Sequence, residues 1–217
     1  MLITTELPLV SSTRWQSSFQ LFCKRAFDFA VTFCLLLLLS PLFLLLALLV
    51  RFTSPGPVLY RWRVVGKGGL PFIGYKFRSM VANADELKPE LEKRNEMTGP
   101  VFKLTYDPRV TAVGAWMRRY SLDELPQFFS VLKGDMSLVG PRPPLVTEYD
   151  RFTEFQRRKL TVKPGITCLW QVSGRNQVRD FDDWVRLDLE YIRRWSLLLD
   201  IEILLRTVRE VFAGSGK

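Results

Sequence analysis

A long apolar run near the start of the chain is its most distinct pattern. Residues 29–50 read FAVTFCLLLLLSPLFLLLALLV and carry no charge over 22 positions. A straight helix of that length would extend about 33 Å, enough to cross the hydrocarbon core of a bilayer. The run begins too late and is too long for a cleaved signal peptide, and Arg51 follows it without a small-x-small cleavage pattern. The pattern therefore predicts a segment that stays in contact with a membrane.

Ser40-Pro41 interrupts this run near its centre. Proline lacks an amide donor and clashes with the preceding turn, so the helix should break there, with the Ser40 hydroxyl available to an unpaired carbonyl. Both flanks are basic to a similar degree, with Arg14, Lys24 and Arg25 before the run and Arg51, Arg61, Arg63 and Lys67 after it. The positive-inside rule then favours cytoplasmic placement of both ends. Two alternatives stay open, a re-entrant helix that enters and leaves by one face and, about as well supported, a kinked single span.

The polar and apolar pattern of the remaining chain predicts a mainly helical α+β fold. Upstream of the run, aromatic residues recur at helical spacing from Trp15 to Phe29, which predicts either an amphipathic helix in the headgroup plane or a continuation of the membrane helix. Residues 58–65 and 70–80 resemble two strands around a glycine-rich turn, and this short β-hairpin places Lys76 near a strand end. Helical patterns dominate later, including a long amphipathic one over 182–212, and Lys163-Pro164-Gly165 predicts a turn.

Composition narrows the chemistry that such a fold could perform. The 217 residues include 31 Lys and Arg against 22 Asp and Glu, a net charge of +9 that favours polyanionic partners such as nucleic acid, phosphorylated metabolites or anionic lipid. No histidine is present, which excludes Ser-His-Asp and Cys-His catalysis and His-ligated zinc. Three widely spaced cysteines argue against a disulfide framework and for a reducing compartment.

Asp123 and Glu124 form the first candidate site. They follow Ser121, which could cap a helix beginning at Leu122 with Glu124 as the partner in a capping box. The functional alternative is that the two carboxylates share a divalent metal while one attacks phosphorus, since a carboxylate nucleophile needs no base near neutral pH. Arg118 and its neighbour Arg119 would then hold phosphate oxygens.

Two further segments have a structural and a functional interpretation each. Arg142 lies between prolines in the sequence GPRPP, which describes either a solvated rigid loop or a guanidinium held in place for an anion. Asp180 and Asp182 match the D-x-D pattern by which many nucleotide-sugar glycosyltransferases hold a metal. They also begin a helical pattern, where acidic residues suit the helix dipole, and we favour this capping interpretation.

Taken together, these segments resemble the monotopic polyprenyl-phosphate phosphoglycosyl transferases, the bacterial sugar transferase family. The resemblance runs from about Cys23 to Phe212 and rests on an ordered set of motifs. The motifs are KRAFDF, the apolar run with its Ser-Pro, SPGPVLYRWRVVG, PFIGYKFRSM, DPRVTAVGAWMRRYSLDELPQFFSVLKGDMSLVGPRPP, KPGITCLWQVSGRN and LDLEYIRRWSLLLDIEILLRT.

The resemblance implies an organisation in three parts. An uninterpreted amphipathic segment over residues 1–22 would precede a re-entrant membrane helix over residues 23–52, broken at Ser40-Pro41. A cytosolic catalytic domain over residues 53–217 would rest on the cytoplasmic face of the bacterial inner membrane, against inner-leaflet phospholipid. A homodimer is compatible with such a small anchored enzyme, and no nucleic-acid partner is expected.

The resemblance also implies an activity and the residues that carry it. Asp123 would attack the β-phosphate of a UDP-sugar, release UMP and pass the sugar phosphate to undecaprenyl phosphate, while Glu124 helps Asp123 to hold Mg²⁺. Further site residues carried over from the motifs are Lys76, Arg118 and Arg142 as phosphate contacts, Gln171 and Arg175 near the donor sugar, and Asp188 as a functional or supporting acid. The segment LWQVSGR resembles members that use hexose 1-phosphates, so glucose or galactose is the expected sugar, in exopolysaccharide, capsule or O-antigen synthesis.

One departure and two rival functions accompany this assignment. Cys168 stands where the family usually has glycine, which could perturb a turn near the sugar site. A membrane-anchored basic adaptor would explain the charge without catalysis, and a glycosyltransferase using Asp180 and Asp182 would release UDP instead of UMP. The released nucleotide distinguishes these three functions.

Overall fold

The computed structural model describes residues 17–174, 178 and 180–216. Its helices are α1 (Ser18–Leu38), α2 (Ser40–Thr53), α3 (Ala84–Leu91), α4 (Ala112–Arg119), α5 (Gln127–Lys133), α6 (Val146–Tyr149), α7 (Glu154–Arg157), α8 (Phe181–Arg194) and α9 (Leu197–Ala213). Its strands are β1 (Leu59–Val65), β2 (Pro71–Phe77), β3 (Ser137–Val139) and β4 (Gly165–Thr167). The described part is thus mainly helical with two small sheets, as the predicted α+β class requires.

The apolar run forms two helices that meet at Leu39. Pro41 lies in the first turn of α2, where its missing amide costs no helical hydrogen bond, and the Ser40 hydroxyl donates to the Leu37 carbonyl at 2.8 Å. The predicted break at Ser40-Pro41 is therefore confirmed. Within the described residues no single helix is long and apolar enough to cross a membrane. Together, α1 and α2 reach the required length and hydrophobicity, but they are bent by 63° where they meet.

α1 begins upstream of the apolar run, in the segment for which the sequence left two alternatives open. Ser17 accepts a hydrogen bond from the Gln20 amide, and the Gln20 side chain accepts one from the Ser17 amide, so a capping box begins the helix. α1 then continues without interruption into the apolar run, as the continuation alternative predicts. Trp15 lies outside the described residues.

The predicted hairpin is confirmed, with β1 and β2 antiparallel and Trp62 opposite Gly74. A Cβ at Gly74 would lie 2.3 Å from the Trp62 indole nitrogen, so the indole packs directly on the glycine backbone. A second sheet, in which β3 and β4 are parallel, was not predicted. Gly165 begins β4, so the turn expected at Lys163-Pro164-Gly165 is instead the entrance to a strand.

The long helix expected over 182–212 is two helices. Ser196 adopts an extended backbone and its side chain accepts a hydrogen bond from the Leu199 amide, which begins α9 anew after α8 has ended at Arg194. The change of direction brings Asp200 to α1, where it forms an ion pair with Lys24 at 2.7 Å. The single-helix prediction was wrong because the apolar spacing continues across a capped break.

Buried contacts attach the apolar helices to the rest of the chain. Leu46 and Val50 of α2 pack with Phe77 of β2 and Met117 of α4. The Arg78 guanidinium, also buried, donates to the Ser54 carbonyl at 2.7 Å just after α2. These contacts place the end of the hairpin and the end of α4 side by side, and the candidate site lies there.

Candidate active site

A cavity of about 630 Å³ opens between the hairpin, the turn after α4, the loop after β3 and the start of α8. Its volume lies within the range of about 300–1,000 Å³ that is typical of small-molecule sites. The predicted site residues that line it are Lys76, Arg118, Asp123, Glu124 and Arg142. Five of the eight residues proposed for catalysis or substrate binding are therefore brought together from three segments of the chain, namely the hairpin, α4 with the turn after it, and the loop after β3.

Asp123 and Glu124 lie in a 3-10 turn over Leu122–Glu124 directly after α4. Both are largely buried, at 7% and 8% exposure, although they belong to a residue type that is rarely buried without a partner or a function. Ser121 adopts a left-handed backbone with φ 55° and its side chain does not cap the turn, so the capping-box interpretation is wrong. This left-handed backbone turns the chain sharply, so that both carboxylates are directed inward. For a serine the conformation costs about 1–2 kcal/mol.

Two cations converge on one oxygen of Glu124. Lys76 Nζ lies 2.7 Å from Glu124 Oε1, and Arg142 Nη1 lies 3.3 Å from the same oxygen. Lys76 also lies 4.2 Å from the centre of the Trp62 ring. Burial, followed by the charge of Arg142, lowers the pKa of Lys76, and the two carboxylates act in the opposite direction. The result is a compact group of opposite charges that borders the cavity.

Arg118 reaches the cavity from the last turn of α4. Its Nε donates to Ser79 Oγ at 2.9 Å, which fixes the guanidinium close to the hairpin end. Burial lowers the pKa of Arg118 while the Asp123 and Asp107 carboxylates raise it, and an arginine remains protonated in either case. The close approach of α4 to Ser79 requires glycine at position 114, because a Cβ there would lie 1.9 Å from the Ser79 carbonyl oxygen.

The other three predicted residues lie elsewhere. Gln171 and Asp188 are buried and described, and neither lines the cavity. Gln171 Oε1 accepts a hydrogen bond from the Cys168 thiol at 3.1 Å, and burial raises the pKa of that thiol, so the unusual cysteine is a buried donor beside β4. Arg175 lies outside the described residues.

Asp188 forms a buried ion pair that sequence reasoning missed. Its Oδ2 lies 2.6 Å from Lys159 Nζ, and the side chains are 1% and 2% exposed. Lys159 does line the cavity, so Asp188 contacts the site through its partner. The basic segment FQRRKL gives no local sign that Lys159 is buried. Only an acidic residue 29 positions later, on the inner face of α8, could have indicated it.

Aromatic side chains line the end of the cavity near Lys159. Trp170 and Trp184 stack with their ring centres 4.0 Å apart, and Phe152 and Phe181 pack beside them. The amphipathic pattern over 182–212 includes Trp184 but gave no sign that this residue would border a cavity. One end of the site is therefore charged and the other is apolar and aromatic, as suits a ligand with a phosphate part and a ring part.

Asp180 and Asp182 take the structural role that the sequence favoured. The Asp180 side chain accepts a hydrogen bond from the Asp182 amide at 2.7 Å and caps α8, while Asp182 accepts one from Gln156. Neither lines the cavity. The capping interpretation of the D-x-D pattern is confirmed.

Comparison with known proteins gives a consistent family. The family model described as "Bacterial sugar transferase" matches residues 19–214. The chain is 46% identical over 199 residues to the undecaprenyl-phosphate galactose phosphotransferase of Salmonella typhimurium, covering 90% of this chain and 41% of that protein. It is 52% identical over 161 residues to galactosyl transferase CpsE of Streptococcus agalactiae, covering 74% and 36%.

A relative of similar length also matches. The exopolysaccharide production protein ExoY of Sinorhizobium fredii is 42% identical over 200 residues, covering 89% of this chain and 87% of ExoY. The chain thus spans about two fifths of the two longer relatives and nearly all of the shorter one. Since the family model matches residues 19–214 and ExoY is 42% identical over 87% of its own length, the chain belongs to the bacterial sugar transferase family.

Proposed function

We propose that the chain transfers a sugar 1-phosphate from a UDP-sugar to undecaprenyl phosphate, through a covalent intermediate on Asp123. The observation that carries this proposal is the buried Asp123–Glu124 pair facing a cavity lined by Lys76, Arg118 and Arg142. Phosphotransfer to undecaprenyl phosphate is also what the name of the Salmonella relative states. Galactose or glucose is the proposed sugar, and polysaccharide synthesis at the membrane the proposed setting.

The reaction needs no proton acceptor at the nucleophile. An Asp123 carboxylate oxygen would attack the β-phosphorus of the UDP-sugar, and the bond from that phosphorus to the bridging oxygen would break, so that UMP leaves with the electron pair. A phosphate oxygen of undecaprenyl phosphate would then attack the same phosphorus and restore the carboxylate. The product is undecaprenyl diphosphate sugar, and the two steps allow a water-soluble donor and a lipid acceptor to use one cavity in turn.

The cations around Glu124 would stabilise charge during both steps. The flanking prolines restrict the backbone of Arg142, and its Nη1 lies 3.3 Å from Glu124 Oε1. Ser79 holds the guanidinium of Arg118, so both groups would meet phosphate oxygens with little rearrangement. Lys76 is held between Glu124 and the Trp62 ring, so its ammonium group also lies at the carboxylate end of the cavity. Preorganised cations cost little reorganisation when negative charge accumulates on the transferred phosphoryl group.

Asp123 and Glu124 also fit the cofactor expected from the resemblance. Mg²⁺ is commonly held by one or two carboxylates together with substrate phosphates and water. Over the described ranges no group of three or more Asp, Glu or Cys side chains is gathered in metal-binding geometry, so substrate oxygens would complete the coordination. When bound, Mg²⁺ would offset the charge of the diphosphate.

We also propose that α1 and α2 form a re-entrant membrane helix, with the catalytic domain on the cytoplasmic face of the bacterial inner membrane. The 63° bend and the balanced basic flanks support a helix pair that returns to the face from which it entered. Large apolar side chains of both helices are exposed, among them Phe33, Leu38 and Leu45. Lipid would cover these side chains and so remove them from water.

The test is to identify the nucleotide released by the purified chain. Incubation with Mg²⁺, undecaprenyl phosphate and UDP-galactose or UDP-glucose should release UMP, and Asp123→Asn should abolish the release. Asp150→Asn, which removes an exposed carboxylate outside the cavity, should behave as wild type. With UDP-sugar alone, mass spectrometry should find the added sugar phosphate on the peptide that contains Asp123.

Other outcomes identify the rival functions. Release of UDP would indicate an ordinary glycosyltransferase, and UMP release that survives Asp123→Asn would overturn the proposed nucleophile. No release from any UDP-sugar would favour the membrane-anchored adaptor.

A further inference from the structure

A second cavity shares no lining residue with the candidate active site. It measures about 210 Å³ and lies between the first turns of α1, the tip of the hairpin and the end of α8. Four cations line it, namely Lys24, Arg25, Lys67 and Lys163. Its volume is below the range of about 300–1,000 Å³ that suits drug-sized molecules, so it fits a smaller anionic group.

Two of the four cations are already paired and form the inner wall. Lys24 Nζ lies 2.7 Å from Asp200 Oδ2 and 3.2 Å from Asp28 Oδ1. Arg25 donates to the carbonyls of Val131 and Leu132, at 2.5 Å and 2.8 Å, at the C-terminal end of α5. These contacts hold α1 against the domain and fix the shape of the cavity.

The other two cations, Lys67 and Lys163, make no ion pair or side-chain hydrogen bond to any described residue. Lys163 Nζ and Arg25 Nη2 approach the same point at the end of α5, 3.5 Å and 3.4 Å from where a Cβ on Gly134 would lie. Lys67 reaches the cavity from the 3-10 turn at the hairpin tip. Three positive groups from distant segments thus surround one small volume.

The neighbouring positive charges contribute to a lowered pKa of Lys163. Burial, followed by the charges of Arg25 and Lys67, lowers its pKa, and the carboxylates of Asp28 and Asp135 act in the opposite direction. An anion inside the cavity would relieve this repulsion. Phosphate groups are the anions that Lys and Arg clusters bind most commonly at membrane surfaces.

We propose that this cavity binds the phosphate group of a membrane phospholipid, contacted mainly by Lys67 and Lys163. The apolar surface at its edge selects a lipid over a soluble phosphate. Leu21 lines the cavity and is 48% exposed, and the neighbouring Phe22 is 69% exposed on the same part of α1. Acyl chains would continue along this surface, while the headgroup phosphate occupies the cavity.

The experiment measures lipid binding to the full chain and requires no sugar substrate. Native mass spectrometry of the detergent-purified chain, over a range of phosphatidylglycerol concentrations, should show saturable binding of one lipid. Each surface cation contributes about fivefold to binding of an anionic lipid, so Lys67→Gln with Lys163→Gln should weaken binding by at least about tenfold. Lys93→Gln with Arg94→Gln removes the same charge from an exposed turn outside both cavities and should leave the affinity within about twofold.

Further arms distinguish loss of the site from loss of the fold and identify the source of the phosphate. Lys67→Arg with Lys163→Arg keeps the charge and should retain binding. Inorganic phosphate should fail to displace the lipid at equal concentration. Equal losses in the two glutamine variants, displacement of the lipid by inorganic phosphate, or no saturable binding to wild type would each overturn the proposal.

Discussion

The buried pair of Lys159 and Asp188 offers the sharpest test of how the structure supports the cavity. Asp188→Asn removes the negative charge and leaves the Lys159 ammonium group in a site where its side chain is only 2% exposed. An unpaired buried charge loses its hydration without compensation. Burial raises the pKa of Asp188, and the charge and hydrogen bond of Lys159 oppose that shift.

The expected loss follows from the geometry. At the 2.6 Å separation of Nζ and Oδ2, an effective dielectric constant of 20 gives an attraction of about 6 kcal/mol. Desolvation offsets part of this, and removal of one partner from a buried pair typically costs about 3–5 kcal/mol. For a chain of this size, each kcal/mol corresponds to about 2–4 °C in Tm, so Asp188→Asn should lower Tm by about 6–20 °C.

Chemical denaturation followed by tryptophan fluorescence would measure the change. Trp184 lies one turn before Asp188 on α8 and stacks on Trp170, so its emission should report separation of this cluster. The double replacement of Lys159→Met with Asp188→Leu should recover most of the loss, because apolar residues of similar volume often replace a buried ion pair without cost. A loss below about 1 kcal/mol for Asp188→Asn, or a double variant no more stable than the single one, would refute the reasoning.

Three further predictions concern packing, hydrogen bonding and topology. Gly114→Ala should cost about 3 kcal/mol or more by overpacking against backbone, whereas Gly68→Ala, strained in φ but open in space, should cost about 1–2 kcal/mol, and denaturation of both variants would check the difference. Tyr191→Phe removes a buried hydroxyl whose one proton is shared between the Val139 carbonyl and the Asp200 carboxylate, and this should cost about 2 kcal/mol. Since burial and a neighbouring carboxylate raise the pKa of Tyr191 well above 10, wild-type stability should fall as pH rises above about 10, and less so in the Phe variant, as denaturation between pH 8 and 11 would show. Replacing Ser40 by Ala and Pro41 by Leu should allow α1 and α2 to straighten, so that a reporter active only outside the cytoplasm and fused after the last residue gains activity; a reporter as silent as on wild type would contradict this.

Local patterns predicted the parts of the fold that local physics decides. The break at Ser40-Pro41 follows from the missing amide of proline, and the hairpin follows from alternation around glycines. The parallel pair of β3 and β4 could not be predicted in this way, because each strand has only three residues and its partner is a distant segment. Three residues are too few to display a period of two.

The site was predicted through its motifs, and its less obvious parts depend on contacts between distant segments. The sequence placed Asp123, Glu124 and Arg142 in candidate roles, but their approach to Lys76 required the packed fold. Lys159 was missed because burial of a lysine is decided by the residue that it meets. That residue, Asp188, lies on another helix.

Because the hairpin positions Lys76, its effect on the site depends on whether a strand gains or loses an odd or an even number of residues. Side chains of a strand alternate between faces, so deletion of one residue from β2 between Gly74 and Lys76 would turn the lysine away from Glu124. The stack of Trp62 on Gly74 opposes such a slip, since a side chain at the glycine position would collide with the indole. Insertions near Lys67 at the tip would leave the strands beside Lys76 in register while altering the second cavity. Relatives that differ in hairpin length should therefore keep the strand register and vary at the tip.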